Sequence, residues 1–420
     1  MDAADKDFLT RLFDAAVKAA DPKSALAPNL PEPPKGRTVV IGAGKGSAQL
    51  AAAFEELWAT PVEGVVVTRY GYAAPCKNIR VLEAAHPVPD EAGLVATDAL
   101  FEAVSGLTEN DLVVALISGG GSALLPAPPE GLNLSDEAAL NEALLASGAP
   151  ISAMNMIRKQ VSRVKGGRLA AAAHPARVVS LVVSDVPGDD PAQVASGPTV
   201  PDETTRKDAL AAVAAYGVQL PDPIAAYLHD SVEDAPQPED PVFARNSVRV
   251  IASAARSLEA AAKICSDEGI AAHILSDAIE GEAREVAKMH AAIAREVRSK
   301  ARPFTPPVVL LSGGETTVTL RGRGRGGRNS EFLLSFAQAV DGFDGISALA
   351  ADTDGIDGSE DNAGAFADGT SAARLRACGC DPGVMLADND AFSAFSALGD
   401  LFTPGPTGTN VNDLRAILIR

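Results

Sequence analysis

The chain has 420 residues, 46% of them hydrophobic and 22% charged, with 36 Lys and Arg against 55 Asp and Glu for a formal net charge of −19. A length of this order exceeds one ordinary core and implies two or three domains of roughly 100–200 residues each, while the composition excludes disorder and fibre. The charge argues against non-specific binding to nucleic acid or to an anionic membrane, and the apolar runs are too short to cross a bilayer.

The first segment, MDAADKDFLTRLFDAAVKAADPK, carries acids where a signal peptide would carry cations. Phe8, Leu9, Leu12, Phe13 and Ala16 are spaced for one face of an amphipathic helix. Short β-branched runs follow at 37–41, 64–68, 111–117 and 177–183, the pattern of strands buried on both faces. Ala-rich segments at 48–58, 91–105, 135–147 and 152–173 read as helices between them. That alternation predicts a mainly parallel sheet flanked by helices.

The pattern lapses over 219–246, a stretch rich in Pro and acid, and we place a domain boundary there, giving domains 1–240 and 241–420. A second α/β set follows, with strands at 248–251, 271–275, 308–311, 316–320 and 347–350 and helices at 254–267, 280–298 and 331–340. Cys76, Cys265, Cys378 and Cys380 form no disulfide framework in a chain this long and read as reduced thiols of a cytoplasmic protein.

Three segments share one plan, a buried strand ending in small residues: Gly42–Ser47 (GAGKGS), Ser118–Ser122 (SGGGS) and Ser312–Thr316 (SGGET). Glycines there let the backbone approach a ligand, and a following helix start presents free N–H groups to phosphate. Candidate contacts are Gly44, Gly46 and Ser47, then Ser118, Gly119, Gly120, Gly121 and Ser122, then Gly313, Gly314 and Glu315. The alternative use of such glycines is a tight turn. Lys45 lies inside the first turn, yet the spacing is neither that of a Walker A loop nor GxGxxG. The second strand ends in Thr68-Arg69 rather than in an acid for a ribose; Arg69 is compatible with the extra phosphate of NADP, which keeps a reductase open.

Residues 321–331 (RGRGRGGRNSE) place four arginines among glycines, with no aromatic for base stacking. Between a strand and a helix this reads as a folded anion-binding loop, with Arg325 and Arg328 among its guanidinium forks. The acidic loops 184–190 and 352–358 follow buried strands, and carboxylates so placed suit Mg²⁺ carried on phosphates. Asp185 and Asp189 are the candidate ligands; the 352 segment lacks the spacing of a calcium loop. The five histidines lack zinc spacing, and His86 reads equally as a loop former or a catalytic group.

Taken together, IGAGKGS (41–47), HPVPD (86–90), SGGGSAL (118–124), KGGR (165–168), SDVPGDD (184–190), SGPTVP (196–201), SGGET (312–316), GGRNSE (326–331), DTDGIDG (352–358) and GTNVNDL (408–414) run through nearly the whole chain. In that order they resemble the class II glycerate kinases, glycerate 2-kinases with a C-terminal MOFRL domain. The resemblance implies two α/β domains, the first Rossmann-like and the second smaller and mixed, with the active site in the cleft between them. It implies ATP- and Mg²⁺-dependent phosphorylation of D-glycerate at C2, and it leaves a homo-oligomer open. By motif the family's catalytic cations fall on Lys45 and Arg325, with Arg328 a close rival that holds phosphate or the glycerate carboxylate. Ser330 departs from the glutamine expected after Arg-Asn. The rival readings are an NAD(P)H-dependent hydroxypyruvate reductase and a nucleotide-sensing module without turnover.

Overall fold

The computed structural model describes residues 1–230 and 234–420; residues 231–233 of the acidic stretch lie outside the described residues. The chain divides into two compact units, Pro22–Ile251 and Met1–Asp21 with Ala252–Arg420.

In the unit Pro22–Ile251 the four expected runs become β1 (Thr38–Ala43), β2 (Glu63–Arg69), β4 (Leu112–Ile117) and β5 (Arg177–Val183); β3 (Ile79–Ala84), whose apolar run Arg80 and Glu83 interrupt, is not among the expected strands, and β6 (Ser247–Ala252) joins them. They form one sheet in the order β3-β2-β1-β4-β5-β6, with parallel pairing from β3 through β5. Val39, Val40, Ile41 and Val113–Leu116 are fully buried, as strands covered on both faces by helices must be. The winding reverses between β1 and β4, and the carboxyl ends at such a reversal are where open α/β sheets bind ligands. The register pairs Ala43 with Ile117, which makes neighbours of the turns that follow β1 and β4.

Two expectations fail here. The single helix over 152–173 is two, Ile151–Gln160 and Arg168–Ala172: Val161 leaves helical geometry at φ of −116° and ψ of 46°, and Gly166 and Gly167, at φ of 64° and 80°, turn the chain before the second begins. The strand at 248–251 does not open the second set; it completes the first sheet as β6.

The other unit holds β7 (Ala271–Ser276), β8 (Gly281–Glu282), β9 (Val308–Gly314), β10 (Thr316–Thr317), β11 (Ile346–Asp352), β12 (Gly364–Asp368), β13 (Leu401–Phe402) and β14 (Asp413–Ile419). Six of them form a mixed sheet, β13-β12-β11-β14-β9-β7, in which β14 runs antiparallel to both neighbours. The expected strand 316–320 shrinks to β10, paired only with β8. The register sets Asp413 opposite Gly314 on one side and Asp352 on the other. The end of β9, the start of β14 and the end of β11 therefore form one row.

The boundary expected at 240/241 also moves. Helix Ala3–Ala19 buries Phe8, Leu9, Leu12, Phe13 and Ala16 in a core with Leu258, Leu349, Ala416 and Leu418, all from the second sheet and its covering helix. Asp5 accepts from Ser347 Oγ at 2.8 Å and from Arg420 Nη2 at 2.7 Å, fixing the helix at its start. The stripe predicted the helix but not its partner, since any apolar surface satisfies a stripe. Leu12→Ala is expected to cost about 3 kcal/mol in urea unfolding, as a buried leucine truncated beside a sheet does. Loss below about 0.5 kcal/mol would mean the helix is not docked.

Candidate active site

The turn after β1 is held by its own backbone and by Ser118. Lys45 N–H donates to Gly119 O at 2.9 Å, Gly46 N–H to Ser118 Oγ at 3.0 Å, and Ser47 Oγ to Leu116 O at 2.9 Å. The serines thus lock the two turns together rather than facing a ligand. Gly120 has φ of 78°, and a β-carbon built on it would lie 3.0 Å from Lys45 Cε and 3.1 Å from His86 Nε2. The lysine stem and the imidazole share the space that a bare glycine leaves. Lys45 has no carboxylate partner among the described residues.

Sequence context alone leaves two readings for His86, and the structure puts it in this cluster. Burial, then the charges of Lys45 and Arg69, push its pKa down to about 4. Folded His86 stays neutral where an unfolded histidine, near 6.5, binds a proton. Stability linked to it is therefore complete above about pH 6.5 and lost as pH falls toward 4. The imidazole Cε1–H signal in NMR should titrate with a midpoint near 4; a midpoint above 6 would remove His86 from the neighbourhood of Lys45.

Asp185, half-buried after β5, lies against the second turn: a β-carbon on Gly119 would come 1.8 Å from its Oδ2. That cradle suits a cation brought in on phosphates, because Mg²⁺ there takes only one or two protein carboxylates. Among the described residues no group of three or more His, Cys, Asp or Glu stands together as a metal-ligand set. Asp189 follows in a short 3-10 turn with φ of 54°. The loop then passes through Ala195 and Ser196, at φ of 53° and 58°, and Ala195 packs on Gly121. Ser122 Oγ and Ser196 Oγ are 2.9 Å apart. Consecutive non-glycine residues at positive φ are costly and persist where packing over-determines them.

In the other unit, Ser312–Gly314 is not a turn. Gly313 and Gly314 lie in β9, paired with Leu414 and Asp413, and no helix start follows them. Glu315 is exposed and receives Arg328 Nη1 at 3.1 Å. Arg328 opens helix Arg328–Ala339 and also donates through Nη2 to Asp352 at 2.6 Å and through Nε to Asp413 at 2.8 Å. These carboxylates hold its pKa up against the cost of burial. Burial and the facing Asp413 push Asp352 well above the ordinary carboxylate range, with Arg328 opposing them.

Asp357 accepts from the N–H groups of Asn329 and Ser330 at 2.9 and 2.8 Å and from Ser330 Oγ at 2.7 Å. Burial raises its pKa to about 6 against those bonds. Ser330, where glutamine was expected, thus belongs to a helix cap. The RG segment is folded: Arg321, Arg323, Gly324 and Arg325 donate backbone N–H groups to Asn389, Asp388 and Asp390. Side chains at 322 and 324 would collide with that strip, so glycines face it and the arginines point outward. Arg325 is exposed, lies 3.3 Å from Glu360 and covers the Phe392 ring.

Sequence reasoning missed Arg415, which is fully buried and donates to Asp413 Oδ2 at 2.6 Å. Nothing in a run such as DLRAILI marks an arginine as interior. Asp413 stood inside a quoted motif, with its partners invisible.

A Rossmann-ordered unit with a lysine-bearing glycine turn at its switch point, followed by a mixed α/β unit with an arginine loop, defines a class of proteins that handle phosphorylated ligands. The chain belongs to the glycerate 2-kinase family. The family described as "Domain of unknown function (DUF4147)" matches residues 8–229, and the MOFRL family matches residues 308–413. D-glycerate 2-kinase of Thermotoga maritima is 40% identical over 97% of either chain. The crystal structure of glycerate kinase from the same organism superposes with a TM-score of 0.91 at 38% identity, covering all of both chains. A protein of Agrobacterium vitis whose provisional name is hydroxypyruvate reductase is 53% identical over 100% of this chain and 95% of its own.

Proposed function

We propose that the protein transfers the γ-phosphoryl group of ATP to the C2 hydroxyl of D-glycerate, giving 2-phosphoglycerate and ADP. The observation that carries this reading is Lys45: a cation without a carboxylate partner among the described residues, laid over a bare glycine at the switch point of a Rossmann-ordered sheet. Phosphoryl transfer asks the protein for in-line positioning and for positive charge on the equatorial oxygens rather than for covalent chemistry.

Lys45 supplies that charge from the first turn, and backbone N–H groups of the 118–122 turn receive phosphate oxygens. Arg325 and Arg328 supply the rest. Arg328 is fixed by buried Asp352 and Asp413, and its contact with exposed Glu315 is the one an incoming phosphate oxygen can replace. Bound Mg²⁺ would shield charge on the nucleotide phosphates, and Asp185 and Asp189 are the residues assigned to hold it. The C2 hydroxyl proton passes to a carboxylate of the 185–190 loop.

The provisional name of the Agrobacterium relative favours a reductase instead. Against it, β2 ends in Thr68-Arg69, with the Arg69 guanidinium stacked 3.8 Å over the Tyr72 ring and no acid for a ribose. ³¹P NMR with D-glycerate, ATP and Mg²⁺ tests the proposal: a 2-phosphoglycerate signal should rise with ADP. A 3-phosphoglycerate signal would overturn the C2 assignment. No product, with NADPH oxidised by hydroxypyruvate, would overturn the kinase.

A further inference from the structure

Helix Ile151–Gln160 carries Asn155, Arg158, Lys159 and Gln160 toward the interior of its unit, with Lys165 buried just beyond it, and the partners of the cations are unequal. Lys159, fully buried, is paired with Asp202, and Lys165 with Glu137 at 2.6 Å. The second oxygen of Glu137 accepts Ala127 N–H at 3.1 Å. The interior carboxylates are thereby taken. Arg158 is left with neutral partners: its Nε donates to Asn141 Oδ1 at 2.8 Å and its Nη1 to Asn155 Oδ1 at 3.1 Å. Its Nη2 has no partner among the described residues.

A guanidinium cannot shed its proton, and burial disfavours an unpaired charge, which here is felt as a pKa pushed down by burial with only Glu137 opposing. Amide oxygens hold the group in place without neutralising it. The result is a rigid fork with one open edge and one uncompensated positive charge.

That fork is wired to the glycine turn. Asn155 Oδ1 also accepts Ser196 Oγ at 3.0 Å, and Ser196 Oγ lies 2.9 Å from Ser122 Oγ. Ser196 is one of the two consecutive non-glycine residues at positive φ, so backbone strain is stored at the link that joins the fork to the turn.

We propose that Arg158 seats the carboxylate of the small hydroxy-acid acceptor, with Asn155 and Ser196 fixing its distance from the glycine turn. This rests on the phosphoryl-transfer reading for its ligand. A planar fork matches a carboxylate bidentately, and a single uncompensated charge suits a monocarboxylate rather than a polyphosphate chain, which Lys45 and the turn amides already serve.

The test is Arg158→Gln, with D-glycerate binding measured by calorimetry without nucleotide and steady-state kinetics measured alongside. Affinity and KM for D-glycerate should worsen by roughly 10- to 100-fold, as for a lost charged hydrogen bond, with ADP affinity unchanged. The variant should also lose preference for D-glycerate over neutral glyceramide. If ADP affinity falls while D-glycerate binding stays, Arg158 serves the nucleotide and the proposal is overturned; unchanged binding of both overturns it too, as does a wild type that binds no D-glycerate. Should Arg158→Gln fail to fold, Arg158→Lys keeps the charge and removes the fork, and it should raise KM for D-glycerate about 10-fold with kcat near that of wild type. An unchanged KM there overturns the proposal. Because the calorimetry needs no turnover, a carboxylate seat that survives a negative ³¹P experiment separates this inference from the kinase reading.

Discussion

A Lys45→Ala variant is expected to fold normally and to lose roughly 100-fold or more in kcat, with a much smaller change in KM for either substrate. The stability half of this follows from the absence of a carboxylate partner among the described residues: no buried group is orphaned there when the ammonium goes, so the unfolding free energy should stay within about 0.5 kcal/mol of wild type. The kinetic half follows from where the charge sits. A preorganised cation acts most strongly on charge that develops during transfer, so its loss falls on kcat more than on ground-state binding. Lys45→Arg should recover little, since a β-carbon's worth of space over Gly120 already brings the lysine stem to 3.0 Å and shares it with His86. Steady-state kinetics paired with urea unfolding check both halves. Near-normal turnover would remove Lys45 from the reaction.

Arg328→Ala should do the opposite on stability. Its removal leaves Asp352 and Asp413, with side-chain exposures of 6% and 0%, facing each other across one register step. Breaking a buried pair in this way costs about 3–5 kcal/mol. Arg415 still neutralises part of Asp413, which places the expected loss at the lower end of that range. The penalty should shrink on acidification. Folded Asp352 already holds its proton more tightly than the unfolded chain does, and losing Arg328 strengthens that preference. Stability gained through such a group is present at low pH and lost as pH rises, so the variant should be less impaired at pH 5 than at pH 8. Arg325→Ala is the control: exposed and paired only at 3.3 Å, it should leave unfolding unchanged while lowering kcat. Urea titrations at the two pH values, with kinetics on the folded fraction, distinguish the two arginines.

The parallel sheet was legible because its strands are buried on both faces and read as unbroken apolar runs; the 177–183 strand is found with the bounds expected. The second sheet was less so. β12 is a short run of small residues, GAFAD, and β14 interrupts its apolar pattern with Arg415. Neither carries the alternation that marks a half-exposed strand, because both are buried throughout. The glycine turns were legible since each is local in sequence. What they touch was not: the cluster of Lys45, Gly120 and His86 joins three segments, and Arg158 acquires its meaning only from Asn141, Asn155 and Ser196. Pairings across such distances leave no trace in spacing.

Helix Ala3–Ala19 is synthesised long before β14, which completes its sheet and ends at Ile419. At about 5–20 residues per second, the intervening 400 residues take roughly 20–80 s to synthesise. Until Leu258 and its helix are made, Phe8, Leu9, Leu12 and Phe13 have no native surface to cover them, and the cover is complete only with Leu414, Ala416 and Leu418. The unit Pro22–Ile251, contiguous in sequence, is free to fold meanwhile. The nascent protein thus passes through a long-lived state with one finished unit and an apolar helix still uncovered, the kind of species that chaperones holding nascent chains recognise.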